Sequence, residues 1–193
     1  MKLPAARHVQ ELIVQKSRFI GVLDRVRDRE ELIALVDDCR VDYPNARHYC
    51  FAFNAGEAGS SRLVGHSDDG EPHGTAGQPM LNVLMHADVG EVGIVVVRYF
   101  GGIKLGKGGL ARAYADTVKA VLDAAPVAEV VPILEIPLTL SYAQAARVMN
   151  WVESNQVEVV DQQFAGNVAV TLRVPEQKVS ELTDVLQQMG VFL

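Results

Sequence analysis

The stretch VVRYFGGIKLGKGGLARAYADT, residues 96–117, changes character twice. It enters as the end of an apolar run, Val92 to Phe100, that reads as a buried strand. It then crosses five glycines in the nine residues from Gly101 to Gly109. It leaves as a long helix with Leu110, Ala113, Val118, Val121 and Leu122 at the spacing of an inward face. A strand, a glycine turn and a helix are the setting of two nucleotide-binding loops, and neither is completed. Gly101 to Gly108 fits GxxxxGK, but Gly108 stands where a P-loop needs the Ser or Thr that holds Mg²⁺, and no second apolar strand ending in Asp follows. Gly106 to Ala111 fits GxGxxA, without the acid that should end a following strand. General physics remains. Glycine permits positive φ and close backbone approach, a helix N-terminus exposes free N–H groups, and Lys104 and Lys107 add charge. The anion- or partner-binding surface is therefore expected at Arg98, Lys104, Gly106, Lys107, Gly108, Gly109 and Arg112.

Upstream, SDDGEPHGTAG (67–77) holds three glycines, a proline and three acids, and reads as a loop. Asp68, Asp69 and Glu71 lie between His66 and His73, but HExxH and EF-hand spacings are absent, so no metal is expected. The plainer reading is a charged turn that caps a helix and pairs with nearby bases. It should pack beside the glycine loop, with one of the three acids in ion-pair reach of Arg98, Lys104 or Arg112. A helix follows from Thr75–Pro79 to about Ala87. Further upstream, Val9 to Val26 reads as two strands with breaks at Lys16-Ser17 and Gly21. Asp28 and Glu31 have capping-box spacing ahead of Leu32, Leu35, Val36 and Cys39 on one helical face. His48 to Asn54 alternates as a strand, with Tyr49, Phe51 and Phe53 opposite His48, Cys50 and Ala52. A short strand is expected at Arg62 to Gly65.

Downstream, two prolines bracket an Ala/Val stretch, Ala124 to Pro132, read as a linker. The remainder reads as βαββαβ: strand 133–140, helix 142–154, strands 157–163 and 168–174, helix 175–189 and a last strand at Val191 to Leu193. Ala146, Val148, Met149 and Val152 are the expected packing face of the first of these helices. Domains at 1–127 and 132–193 follow, in an α+β fold whose second domain is ferredoxin-like.

Composition narrows the function. With 193 residues, 49% apolar and 22% charged, the chain suits one large or two small domains. No apolar run approaches the roughly 20 residues that span a bilayer. No secretory signal is legible at the start, so a cytoplasmic protein without a membrane partner is expected. Cys39 and Cys50 lack ligand spacing and read as buried thiols. The net charge of −6 is uneven: residues 93–119 carry five basic side chains against Asp116 alone. No catalytic residue and no cofactor is assigned. No GxSxG surrounds Ser67, and Cys50 beside His48 reads as a small buried thiol.

At SDDGEPHGTAGQPML (67–81) and VVRYFGGIKLGKGGLARAYADT (96–117), with KSRFIG (16–21) and ARHYCFAFN (46–54), the chain resembles the IMPACT family, in particular its bacterial YigZ-type members. The resemblance covers the whole length. It implies an N-terminal domain with the fold of domain two of small-subunit ribosomal protein five, and a ferredoxin-like C-terminal domain similar to domains of elongation factor G. Eukaryotic members regulate translation through protein contacts. The resemblance implies a non-enzymatic binding or regulatory protein linked to translation, with an unknown protein, RNA or ribosome-associated partner. A phosphate-ligand-binding enzyme or nucleotide binder using the glycine loop is the alternative.

Overall fold

The apolar run at residues 92–97 becomes the middle strand of an antiparallel sheet and divides its side chains between two cores. The structure, a computed structural model, describes residues 1–192 and divides between Val130 and Val131 into two units. The first contains β1 (Lys2–Pro4), β2 (His8–Val14), β3 (Ser17–Arg25), α1 (Arg29–Asp42), β4 (His48–Asn54), β5 (Val64–Ser67), α2 (Gly77–Met85), β6 (Val92–Tyr99), α3 (Gly106–Ala124) and β7 (Val127–Glu129). Five strands pair antiparallel in the order β2-β3-β6-β4-β5. Val92, Ile94 and Val96 pack with Cys50, Met80, Leu110 and Tyr114 under α2 and α3. Val95 and Val97 pack with Leu32, Leu35, Val36 and Cys39 of α1. Helices on both faces explain why β6 is apolar without alternation.

Local signals place most of these elements. Asp28 caps α1 by accepting from the Glu31 N–H at 2.9 Å. The Glu31 carboxylate accepts from the Arg27 N–H at 2.8 Å and from the Arg27 guanidinium. Gln15 and Lys16, both at positive φ, turn the β2–β3 hairpin. Gly21, expected as a break, lies within β3 instead. A Cβ there would come within 3.0 Å of Thr117 Cγ2, so the glycine lets α3 cross close to the sheet. The segment 124–132 is likewise no free linker. Val127–Glu129 pairs with Lys2–Pro4 in an antiparallel ribbon, a partner too distant in sequence for local composition to reveal.

The second unit contains β8 (Ile133–Leu140), α4 (Tyr142–Ser154), β9 (Glu158–Phe164), β10 (Val168–Pro175) and α5 (Glu176–Gln187). The antiparallel sheet has the order β8-β10-β9, with Leu140, Val148, Leu172, Leu182 and Leu186 in the core. Ala145 rather than Ala146 is buried on α4. The ferredoxin-like order is present without its closing strand. Val191 and Phe192 lie outside any ladder, and Leu193 is outside the described residues. Both border a hollow along β8, where Pro137 has no N–H to donate, and the Val191 N–H donates to Leu186 O at 3.0 Å instead. The chain is thus α+β in two parts. Among the described residues no helix is long and apolar enough to cross a membrane.

Candidate functional site

Arg98 lies next to the end of β6 on the face turned to α2 and α3, between Phe19 of β3 and His48 of β4 in the ladder. It is only 6% exposed. A charge in that position needs a partner, and Glu71 supplies it: Arg98 Nη1 donates to Glu71 Oε1 at 2.6 Å. The Tyr114 hydroxyl, from the third turn of α3, donates to the same oxygen at 2.8 Å. The guanidinium also lies 5.4 Å from the Phe19 ring centre and 5.6 Å from that of Phe100. Phe19 in turn meets Tyr114 edge-on at 5.3 Å. Behind this cluster the Cys50 thiol donates to Asp68 O at 3.0 Å and reaches the Tyr114 hydroxyl at 3.3 Å. Burial pushes both the Cys50 thiol and the Tyr114 phenol well above their ordinary pKa values. Arg98 Nε, also buried, has no acceptor.

The three acids of the 67–77 loop have separate tasks. α2 begins after Ala76, which has no capping side chain, and Asp68 caps it from a distance. Its Oδ1 accepts from the Ala76 and Gly77 N–H groups at 3.0 and 2.8 Å, and its Oδ2 from Gly74 at 2.8 Å. Burial works to raise the Asp68 pKa, but these three backbone hydrogen bonds outweigh it and hold the carboxyl below its usual value. Asp69 accepts from the Tyr49 N–H at 2.7 Å, and its carbonyl lies 2.8 Å from His48 Nδ1. Glu71 pairs with Arg98 and joins the acidic loop to the strand that feeds the glycine loop. Among the described residues no three His, Cys, Asp or Glu side chains are grouped to hold a metal ion.

The glycine loop is fastened at its start and open at its end. A Cβ on Gly101 would lie 2.0 Å from the Lys16 carbonyl carbon, and the Gly101 N–H donates to Ser17 Oγ at 3.1 Å. Gly102 and Gly106 have φ of 84° and 70°, a region that favours glycine. No side chain caps the N-terminus of α3, and its first turn carries no acid. That end opens on a cleft of about 420 Å³. Phe100, Lys104, Leu105, Gly106, Lys107 and Leu110 form one side, Glu71 and Pro72 another, and Arg47, His48 and Arg98 the rest.

Of the residues expected at an anion-binding surface, Arg98, Lys104, Gly106 and Lys107 therefore line one cleft. Gly108, Gly109 and Arg112 do not. At about 100° per helical residue, Arg112 points roughly 240° round α3 from Gly106, away from the side shared by Leu110 and Tyr114. Asp68 and Asp69 are turned inward to backbone N–H groups. Sequence reasoning missed Arg47, His48, Pro72 and Phe100 as lining and Tyr114 as support. Only Phe100, an aromatic at the mouth of a glycine loop, carried a local signal.

Residues 15–122, which include both halves of the cleft, match the Impact N-terminal domain, and residues 138–190 match a domain of unknown function, DUF1949. The chain belongs to the IMPACT family. It is 40% identical to an IMPACT family member of Haemophilus influenzae over 94% of this chain and 90% of that protein. It is 38% identical to IMPACT family member YigZ of Escherichia coli over 94% of this chain and 89% of the other. A crystal structure of a hypothetical protein is similar with a TM-score of 0.69 and 37% identity, covering 97% of this IMPACT chain and 91% of its own.

Proposed function

We propose that this IMPACT protein is a cytoplasmic, non-enzymatic binding protein linked to translation, and that its cleft takes the phosphates of RNA. One observation carries the reading. The uncapped N-terminus of α3 opens on a cleft with four cationic side chains, Arg47, Arg98, Lys104 and Lys107, around a single carboxylate, Glu71, that is already bonded within the protein. Free N–H groups at a helix start and fixed cations attract phosphate. Two of the groups that could do chemistry are taken up within the protein: Glu71 is bonded by Arg98 and Tyr114, and Cys50 is a neutral buried thiol. That favours binding over catalysis. The family resemblance supplies the connection to translation.

The test is salt dependence. Binding of an RNA oligomer should weaken steeply as salt rises, and the double change Lys104→Ala, Lys107→Ala should reduce the logarithmic salt slope by about 0.7 per lost single-strand contact. Unchanged binding in the double variant would remove the cleft from the RNA site. The alternative, a small phosphate ligand, is favoured by the discrete volume of the cleft. A nucleotide would then raise the melting temperature where RNA oligomers do not.

A further inference from the structure

We infer that the unit recognised in the cleft is one nucleotide, with its base stacked on Phe100 and its phosphate held by Lys104, Lys107 and the first N–H groups of α3. This rests on the phosphate-binding reading above and narrows it to a ligand that has both a flat aromatic face and a phosphate.

Phe100 supplies the first argument. It is 51% exposed, although it follows directly on a buried strand. An exposed ring on a flexible tether would be a poor platform, but this one is held. The Arg98 guanidinium lies 5.6 Å from its centre, and Arg98 is itself fixed by Phe19 and Glu71. The ring is therefore oriented before a ligand arrives, which reduces the ordering cost of binding.

The second argument is charge beside the ring. Arg98, Lys104 and Lys107 line the cleft with Phe100, and the one carboxylate among the lining residues, Glu71, is taken by Arg98 and Tyr114. The volume of about 420 Å³ falls in the small-molecule range and suits one nucleotide rather than a long stretch of chain. Inorganic phosphate alone would make no use of a half-open aromatic wall. Cations beside a stacking ring are the pairing found in sites for single-stranded nucleic acid.

The experiment uses the full chain and three probes: a labelled 12-nucleotide single-stranded RNA, an abasic strand of equal length, and free AMP as competitor. Phe100→Ala should weaken binding of the normal strand by about 5- to 150-fold, the range expected for one lost stacking contact. It should leave abasic-strand binding and the salt slope unchanged, and Phe100→Trp should restore affinity. Lys104→Ala with Lys107→Ala should weaken both strands alike. Competition by AMP that depends on Phe100 supports the site with a free nucleotide as its source; strand binding untouched by AMP supports it with RNA as the source. If Phe100→Ala binds the normal strand as the parent does while the lysine variant is weakened, the stacking inference is overturned and the phosphate reading stands. If neither change matters, both are overturned. Melting curves of each variant separate lost binding from lost folding.

Discussion

Glu71 and Arg98 are buried only because each neutralises the other. Removing one member of such a pair leaves an uncompensated charge in low dielectric, at a cost of about 3–5 kcal/mol. Glu71→Ala should lower the unfolding free energy by that amount in urea titrations. Adding Arg98→Met should recover much of it, because an apolar chain of similar length then fills the space. Asp68 acts through a different balance. Its folded pKa lies below the unfolded value of about 3.9. The stability it contributes is therefore present above that value and lost as pH falls through the lower, folded one. Asp68→Asn should be less stable than the parent at pH 7, and the difference should shrink in acid unfolding curves below about pH 4.

At the scale of elements, α1 packs tightly against β6 because Gly93 has no side chain. A Cβ at Gly93 would lie 2.5 Å from Val26 Cγ2 and 3.3 Å from Leu32 Cδ1, both in the α1 core. Gly93→Ala should destabilise the first unit by about 1–3 kcal/mol, the usual range for overpacking. Differential scanning calorimetry would show the first unit's transition move down, with the second unit's unchanged. The elements around the cleft were largely legible beforehand, since the apolar run of β6, the glycines and the helical spacing after Leu110 each carry a local signal. Gly21 misled for a physical reason. A glycine that lets a helix approach is locally indistinguishable from one that breaks a strand, and Thr117, which decides between them, is 96 residues away.

At the scale of the whole molecule, we propose that the units divided at Val130 fold independently, each around its own core. The ribbon between β1 and β7 ties residues 127–129 into the first unit. Limited proteolysis should therefore cut first between Val130 and Ile133 rather than across the wider span 124–132. Early cuts within 127–129 would mean that the ribbon opens readily in solution.

The sequence by itself determined the order of the main strands and helices apart from β1, β7 and an expected last strand that does not form among the described residues, the burial of Leu32, Leu35, Val36 and Cys39 on α1, and the concentration of positive charge between residues 93 and 119. Those features follow from spacing and composition over a few turns of chain, where side-chain period and burial are directly linked. It also pointed to an acidic loop beside a basic one. Only the tertiary structure decided that Glu71, rather than Asp68 or Asp69, meets Arg98, and that Arg112 faces away from the cleft. It likewise decided that Arg47, His48 and Phe100 complete the lining. The cleft is assembled by strands adjacent in the sheet but about 50 residues apart in the chain, such as His48 opposite Arg98. Its charge balance depends on which carboxylate is taken by backbone N–H groups and which is left for a guanidinium.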